Sequence, residues 1–262
     1  PGGEGGGMNL EALRAQVADT ARALHSRGWV ANHDGNISAR LDNGRVLCTP
    51  TAVSKGDVRP EWLLVLDPQG NVVEGSRRSF SEMQLHRAAF AARPDIGVVL
   101  HAHPPTATGF AVAGVELGPA FMAEPVVSLG ATIPTVPFFP PGDPRLDRAL
   151  ADALRSADAV LLANHGVLTV GGSCEQALLR MELVEHVAKI KLVAAQLGGA
   201  RPLAPSVVGK LAAKGRPASD PSFGVRPGGG GGERRLANPP APNEGPRPDL
   251  DQLVDEALKR FR

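Results

Sequence analysis

The chain has 262 residues, 42% of them hydrophobic, and its 28 basic and 27 acidic side chains leave a formal net charge of +1. That length and balance suit one main folded domain, and they argue against nucleic acid as a partner, because backbone-phosphate binders carry a clear excess of Lys and Arg. Cys48 and Cys174 are too few for a disulfide framework and match no zinc-ribbon spacing, which fits a reducing, cytoplasmic setting.

No apolar run reaches the roughly eighteen residues of a membrane span, and no basic-then-apolar leader opens the chain, so a soluble protein with no membrane partner is expected. Residues 1–7, PGGEGGG, lack periodicity and read as a flexible N-terminal extension. From Asn9 to about Arg27, Leu10, Leu13, Val17 and Leu24 recur at helical spacing, with Gly28 as a stop. NISARL, RVLCTP, LLVLD and NVVEG then read as an antiparallel meander, punctuated by Asp42-Asn43-Gly44 and Asp67-Pro68-Gln69-Gly70. Ser81 stands where an N-cap belongs, ahead of a helix running towards Phe90 and ended by Pro94.

IGVVLHAH is a buried strand by its apolar run, and LGPAFM and TIPTVPF read as two short ones. Residues 146–156 read as helix, DAVLLANHG as a buried strand ending in His165-Gly166, and LTV as a segment that pairs somewhere near it. The longest helix is expected from Ser173 as N-cap to about Leu197, carrying Leu178, Met181, Val184 and Val187. Residues 8–205 thus form an α/β domain with a mostly antiparallel sheet covered by helices. Residues 206–248, which include the glycine run Gly228 to Gly232, read as a Pro/Gly-rich disordered linker, and 249–262 as a short amphipathic terminal helix.

Three histidines carry the chemistry. On a strand, residues i and i+2 point to one side, so His101 and His103 of HAHPP present two imidazoles to one spot where Pro104 and Pro105 end the strand. Taken alone, the pair equally suits two histidines hydrogen-bonded at a strand end. His165 repeats the layout of buried strand, polar tip and tight turn, and three strand-end imidazoles suit a divalent cation in an open three-ligand site. His25, His33, His86 and His186 lack this context and read as surface, loop or packing residues. Glu82, directly after Ser81, is either the acid/base group or a first-turn acid that stabilises its helix. The same helix start, with the Ser81 hydroxyl, offers donors to a phosphate, as do the turns around Asn36 and Thr51.

Taken in order, GNISAR, TPTAVSKGDV, SEMQLH, HAHPP and NHGVL resemble the signature series of the class II aldolase/adducin family, and within it the L-fuculose-phosphate aldolases. The resemblance runs from about Leu10 to Leu197, with 19 positions from Glu82 to His101. It implies a three-layer α/β/α fold for the catalytic domain and a homotetramer with active sites between subunits. It also implies Zn²⁺, with Mn²⁺, Fe²⁺ or Co²⁺ as alternatives, on His101, His103 and His165. By the same resemblance Glu82 is the catalytic glutamate, and Asn36, Thr51 and Ser81 hold the phosphate of a phosphorylated sugar. The implied reaction is aldol cleavage of a carbon–carbon bond through an enediolate held by the metal.

The sequence departs from that pattern in three places. Phe80 precedes Ser81 where a serine pair is common, and Ala52 follows Thr51 where glycine is. Phe121 stands in line with the aldolase's proton-donating tyrosine, and the chain contains no tyrosine. Decarboxylation of a sugar-acid phosphate, dehydration and 4-epimerisation are therefore alternatives within the family. A non-catalytic adducin-like scaffold is the alternative outside it; adducin-type domains lack the metal histidines, which are all present here.

Overall fold

A computed structural model of the chain describes residues 10–117, 120–140 and 142–215. The N-terminal extension, the linker beyond 215 and the terminal helix expected at 249–262 lie outside the described residues.

Helix α1 (Leu10–Ser26) forms from the expected heptad-like spacing and buries Leu13, Val17, Ala21 and Leu24, each large side chain contributing roughly 1.5–3 kcal/mol. Gly28 follows in the left-handed region at φ +69°, ending it. Strands β1 (Asn36–Arg40), β2 (Val46–Cys48), β3 (Leu64–Leu66) and β4 (Val72–Glu74) make the meander, each antiparallel to the next. Its β3–β4 turn closes where the Gly70 N–H donates to the Asp67 carbonyl oxygen and the Asn71 N–H to the Asp67 carboxylate.

After α2 (Met83–Ala92), β5 (Val98–Ala102) crosses back and pairs with β1, placing Asn36 directly opposite His101. Next come α3 (Pro105–Ala113), α4 (Ala123–Leu129), β6 (Thr135–Val136), α5 (Pro144–Leu154), β7 (Ala159–Leu162), β8 (Gly166–Gly171), α6 (Cys174–Gln196) and α7 (Pro205–Gly215). The sheet order is β4-β3-β2-β1-β5-β8-β7-β6, antiparallel throughout except for the parallel pair β6–β7.

Side-chain alternation along β5 divides the molecule into layers. Val98, Leu100 and Ala102 pack with residues of α1, α3 and α6, while Val99 packs on the other face with Leu85 and Ala89 of α2 and Leu150 and Leu154 of α5. The result is the expected three-layer α/β/α arrangement. His101 shares the parity of Val99 and therefore faces α2, the helix that begins beside Glu82.

Four local expectations change. Ser81 is not the N-cap of α2; Glu82 occupies that position without making a side-chain capping bond. Residues 117 and 120–122, the described part of LGPAFM, are in no strand, and the helix α4 follows them. Pro104 and Pro105, expected only to end β5, also start α3, because proline's fixed φ and missing N–H suit a first helical turn. The stretch from 206 to 215, expected as linker, is helical as part of α7.

Candidate active site

The end of β5, the tip of the β7–β8 hairpin and the start of α2 bring four titratable side chains to one place. His101 is fully buried, and its Nδ1 lies 2.9 Å from the carbonyl oxygen of Val167 on β8. A carbonyl only accepts, so Nδ1 carries the proton and Nε2 turns an open lone pair towards the site. His103 is tethered by its main-chain N–H to the Trp29 carbonyl oxygen at 2.9 Å, and its Nδ1 lies 3.4 Å from the Asp34 carboxylate. Its Nε2 faces that of His101 at 3.0 Å. Glu185 of α6 secures this corner from behind, accepting from the N–H groups of Thr106 and Ala107 at 3.2 and 2.8 Å in the first turn of α3.

His165 is carried by the hairpin turn, where Asn164 adopts φ +56°, and its Nε2 lies 2.8 Å from Oε1 of Glu82. One nitrogen from each of His101, His103 and His165 lies within 4.8 Å of the others. Two imidazole nitrogens 3.0 Å apart repel unless a proton or a cation lies between their lone pairs. Their other nitrogens are anchored in two of the rings, by Val167 and Asp34, as second partners of metal-bound histidines are. The donor set therefore fits a divalent cation held by three imidazoles with positions left open.

Glu82 is free to act because the helix does not consume its carboxylate. Its Oε2 accepts from Asn36 Nδ2 at 2.6 Å and lies 3.7 Å from His101 Nε2. Burial pushes its carboxyl upward, but the hydrogen bond to His165, the proximity of His101 and the Asn36 amide outweigh it and hold it well below the usual carboxylate range. Burial drives His101 the other way, down to about 3 despite the pull of Glu82. A neutral His101 beside an ionised carboxylate is in the protonation state that binds a divalent cation.

Next to Glu82 and His165 opens a cleft of about 350 Å³, also lined by Ser81, Phe138, Phe139 and Leu146. Ser81 thus lines the cleft. Asn36, expected at a phosphate, is 3% exposed, and its side chain engages Glu82 and His86. Thr51 lies outside the lining of that cleft, in a turn where its N–H donates to the Arg78 carbonyl oxygen. Ala52 beside it has φ +57°, a conformation that favours the glycine common there in the family.

These positions match a known domain. Residues 15–192, well over half the chain, match the family model of the class II aldolase and adducin N-terminal domain. The chain belongs to the class II aldolase and adducin family. It is 32% identical over 184 residues to a 3-oxo-tetronate 4-phosphate decarboxylase of Haemophilus influenzae, covering 68% of this chain and 86% of the relative. A methylthioribulose-1-phosphate dehydratase of Methylococcus capsulatus is 33% identical over 188 residues, covering 68% and 92%. Among solved structures, an L-fuculose 1-phosphate aldolase superposes with a TM-score of 0.71 at 28% identity, covering 77% of this chain and 95% of that one.

Sequence pattern passes over two buried residues of this class II aldolase domain. Lys55 is 1% exposed, with Nζ donating to the carbonyl oxygens of His33 and Val53 at 3.0 and 3.2 Å. Burial lowers it to about 8, opposed by the nearby Asp34 and Glu82 carboxylates. His86, set aside above as a packing residue, is fully buried and bonded on both ring nitrogens. Its spacing of four from Glu82, one helical turn, is the one signal that connects it to the site.

Proposed function

We propose that this class II aldolase domain is a metal-dependent lyase that breaks a carbon–carbon bond beside the carbonyl of a phosphorylated sugar. The convergence of one nitrogen from each of three imidazoles beside the carboxylate of Glu82, at the edge of a cleft, carries this reading. His101, His103 and His165 would hold the cation, zinc by family resemblance, which when bound polarises a carbonyl oxygen as a Lewis acid. Asn36 anchors one Glu82 oxygen, leaving the carboxylate to take up a proton and return it to the carbon that keeps the electron pair of the broken bond. Ser81 and Thr51 are assigned to the phosphate. The family resemblance adds a homotetramer with active sites between subunits, which sedimentation of the purified protein checks, and the two cysteines suit a cytoplasmic setting.

One observation favours a second reading. Phe121, in line with the aldolase's tyrosine, is packed against the core, and a phenyl ring donates no proton. Decarboxylation of a sugar-acid phosphate needs no proton-transfer group there: carbon dioxide leaves from an ionised carboxylate with no proton to give up, whereas aldol cleavage must take one from the hydroxyl that becomes the aldehyde. The H. influenzae relative is a decarboxylase by name.

Incubation with a panel of ketose phosphates and 3-oxo sugar-acid phosphates separates the two. An aldehyde together with dihydroxyacetone phosphate supports the first reading; carbon dioxide supports the second. Glu82→Gln is expected to keep about one metal ion per chain and lose about 100-fold or more in kcat. Undiminished turnover in that variant removes the acid/base assignment, and full metal loading in His101→Ala removes the metal assignment.

A further inference from the structure

Behind Glu82, on the side away from the cleft, three buried polar side chains form a line. Ser38 Oγ lies 2.6 Å from His86 Nδ1, His86 Nε2 lies 2.5 Å from Asn36 Oδ1, and Asn36 Nδ2 lies 2.6 Å from Glu82 Oε2. Ser38 and Asn36 are two apart on β1 and so face the same side as His101, while His86 comes down from α2 one turn after Glu82.

The chemistry of the groups permits one direction for the protons. An ionised carboxylate only accepts, so the Asn36 amide must turn its NH₂ to Glu82 and its oxygen to His86. That oxygen also only accepts, so His86 Nε2 carries the proton. The ring is fully enclosed and burial lowers its pKa to about 3, so it is neutral, and Nδ1 accepts from the Ser38 hydroxyl. Reversing any one bond sets two acceptors against each other in a dry interior, which costs more than the bond itself contributes. Phe80 packs against the His86 ring with centroids 5.0 Å apart and closes it off further.

We propose that His86 is a positioning residue for Glu82: through the Asn36 amide, its Nε2–H fixes which way the amide faces and hence where the carboxylate points. The consequence for turnover rests on the reading of Glu82 as the acid/base group, whereas the hydrogen-bond order does not.

The test has two independent arms. In ¹⁵N-labelled wild-type protein loaded with zinc, His86 should show the neutral Nε2–H tautomer with a proton protected from exchange; an Nδ1–H tautomer overturns the proposal whatever the enzyme's reaction. In the second arm, His86→Phe fills the ring's space without a donor, and His86→Gln restores an N–H near the Nε2 position. His86→Phe should keep its metal and lose about 10- to 100-fold in kcat with KM little changed, and His86→Gln should recover most of that loss. Wild-type kcat in a folded His86→Phe protein overturns the proposal, as does an equal loss in both variants. If Glu82→Gln retains turnover while the tautomer is as expected, the acid/base reading fails and the hydrogen-bond order stands. If His86→Phe does not fold, the tautomer decides.

Discussion

Replacing Gly166 with alanine asks whether a missing side chain is what lets the imidazoles meet. A Cβ there would lie 2.5 Å from Cδ2 of His103, 2.7 Å from the Ala102 carbonyl oxygen and 3.2 Å from Cε1 of His101. Carbon atoms settle at about 3.5–4 Å, so the His103 ring must retreat by about 1 Å or the strands must part. The strands resist, because Ala102 is paired with Val167 in the β5–β8 ladder, immediately beside the substitution. Metal–ligand distances tolerate only about 0.2 Å. Gly166→Ala is therefore expected to fold, to lose about 1–3 kcal/mol from overpacking, and to bind zinc about 10- to 100-fold more weakly. Denaturant titration of the metal-free protein measures the first effect, and competition against a calibrated chelator measures the second. Wild-type zinc affinity in a folded Gly166→Ala protein would refute the claim that this close approach shapes the site.

Ala52→Gly should raise stability by about 0.5–1 kcal/mol, since left-handed backbone costs alanine roughly 1–2 kcal/mol and glycine's greater freedom when unfolded returns only part of that; a lower denaturation midpoint contradicts this. His86 titrates at about 3 when folded and near 6.5 when unfolded, so the unfolded chain takes up more protons between those values and stability falls as pH drops through that window. Between pH 7 and pH 5 this one group accounts for about 2 kcal/mol, and His86→Phe should lose that much less stability than wild type on acidification. Asp158, 6% exposed, lies 2.8 Å from both the Arg93 and Arg180 guanidiniums. Asp158→Ala removes the carboxylate between two cations and should cost about 3–5 kcal/mol while leaving metal content unchanged; loss of metal from the folded variant would show that the network reaches the site.

Local pattern made much of this protein legible. The helical spacing of Leu13, Val17 and Leu24, the turn residues of the meander and the two-residue period of HAH all act over a few neighbouring positions. Period and turn chemistry therefore suffice to place α1, β1 to β4 and the histidine pair on one side of β5. Where several short-range readings were equally good, the sequence was ambiguous: LGPAFM is too short for period to distinguish a strand from the approach to a helix, and Ser81 and Glu82 are both acceptable at a helix start.

The order of Ser38, His86, Asn36 and Glu82 belongs to the tertiary structure. Which of them donates and which accepts depends on groups 46 to 50 positions apart meeting in an interior without water, and no short window contains that information. Lys55 shows the same limit, since an ordinary loop lysine becomes a buried cation only once the chain closes over it. From the sequence alone came the residue types that can bind a cation and the strand ends that carry them; the direction of each proton and the space for each ring came with long-range packing, because hydrogen bonds and close contacts are fixed only when distant segments exclude water together.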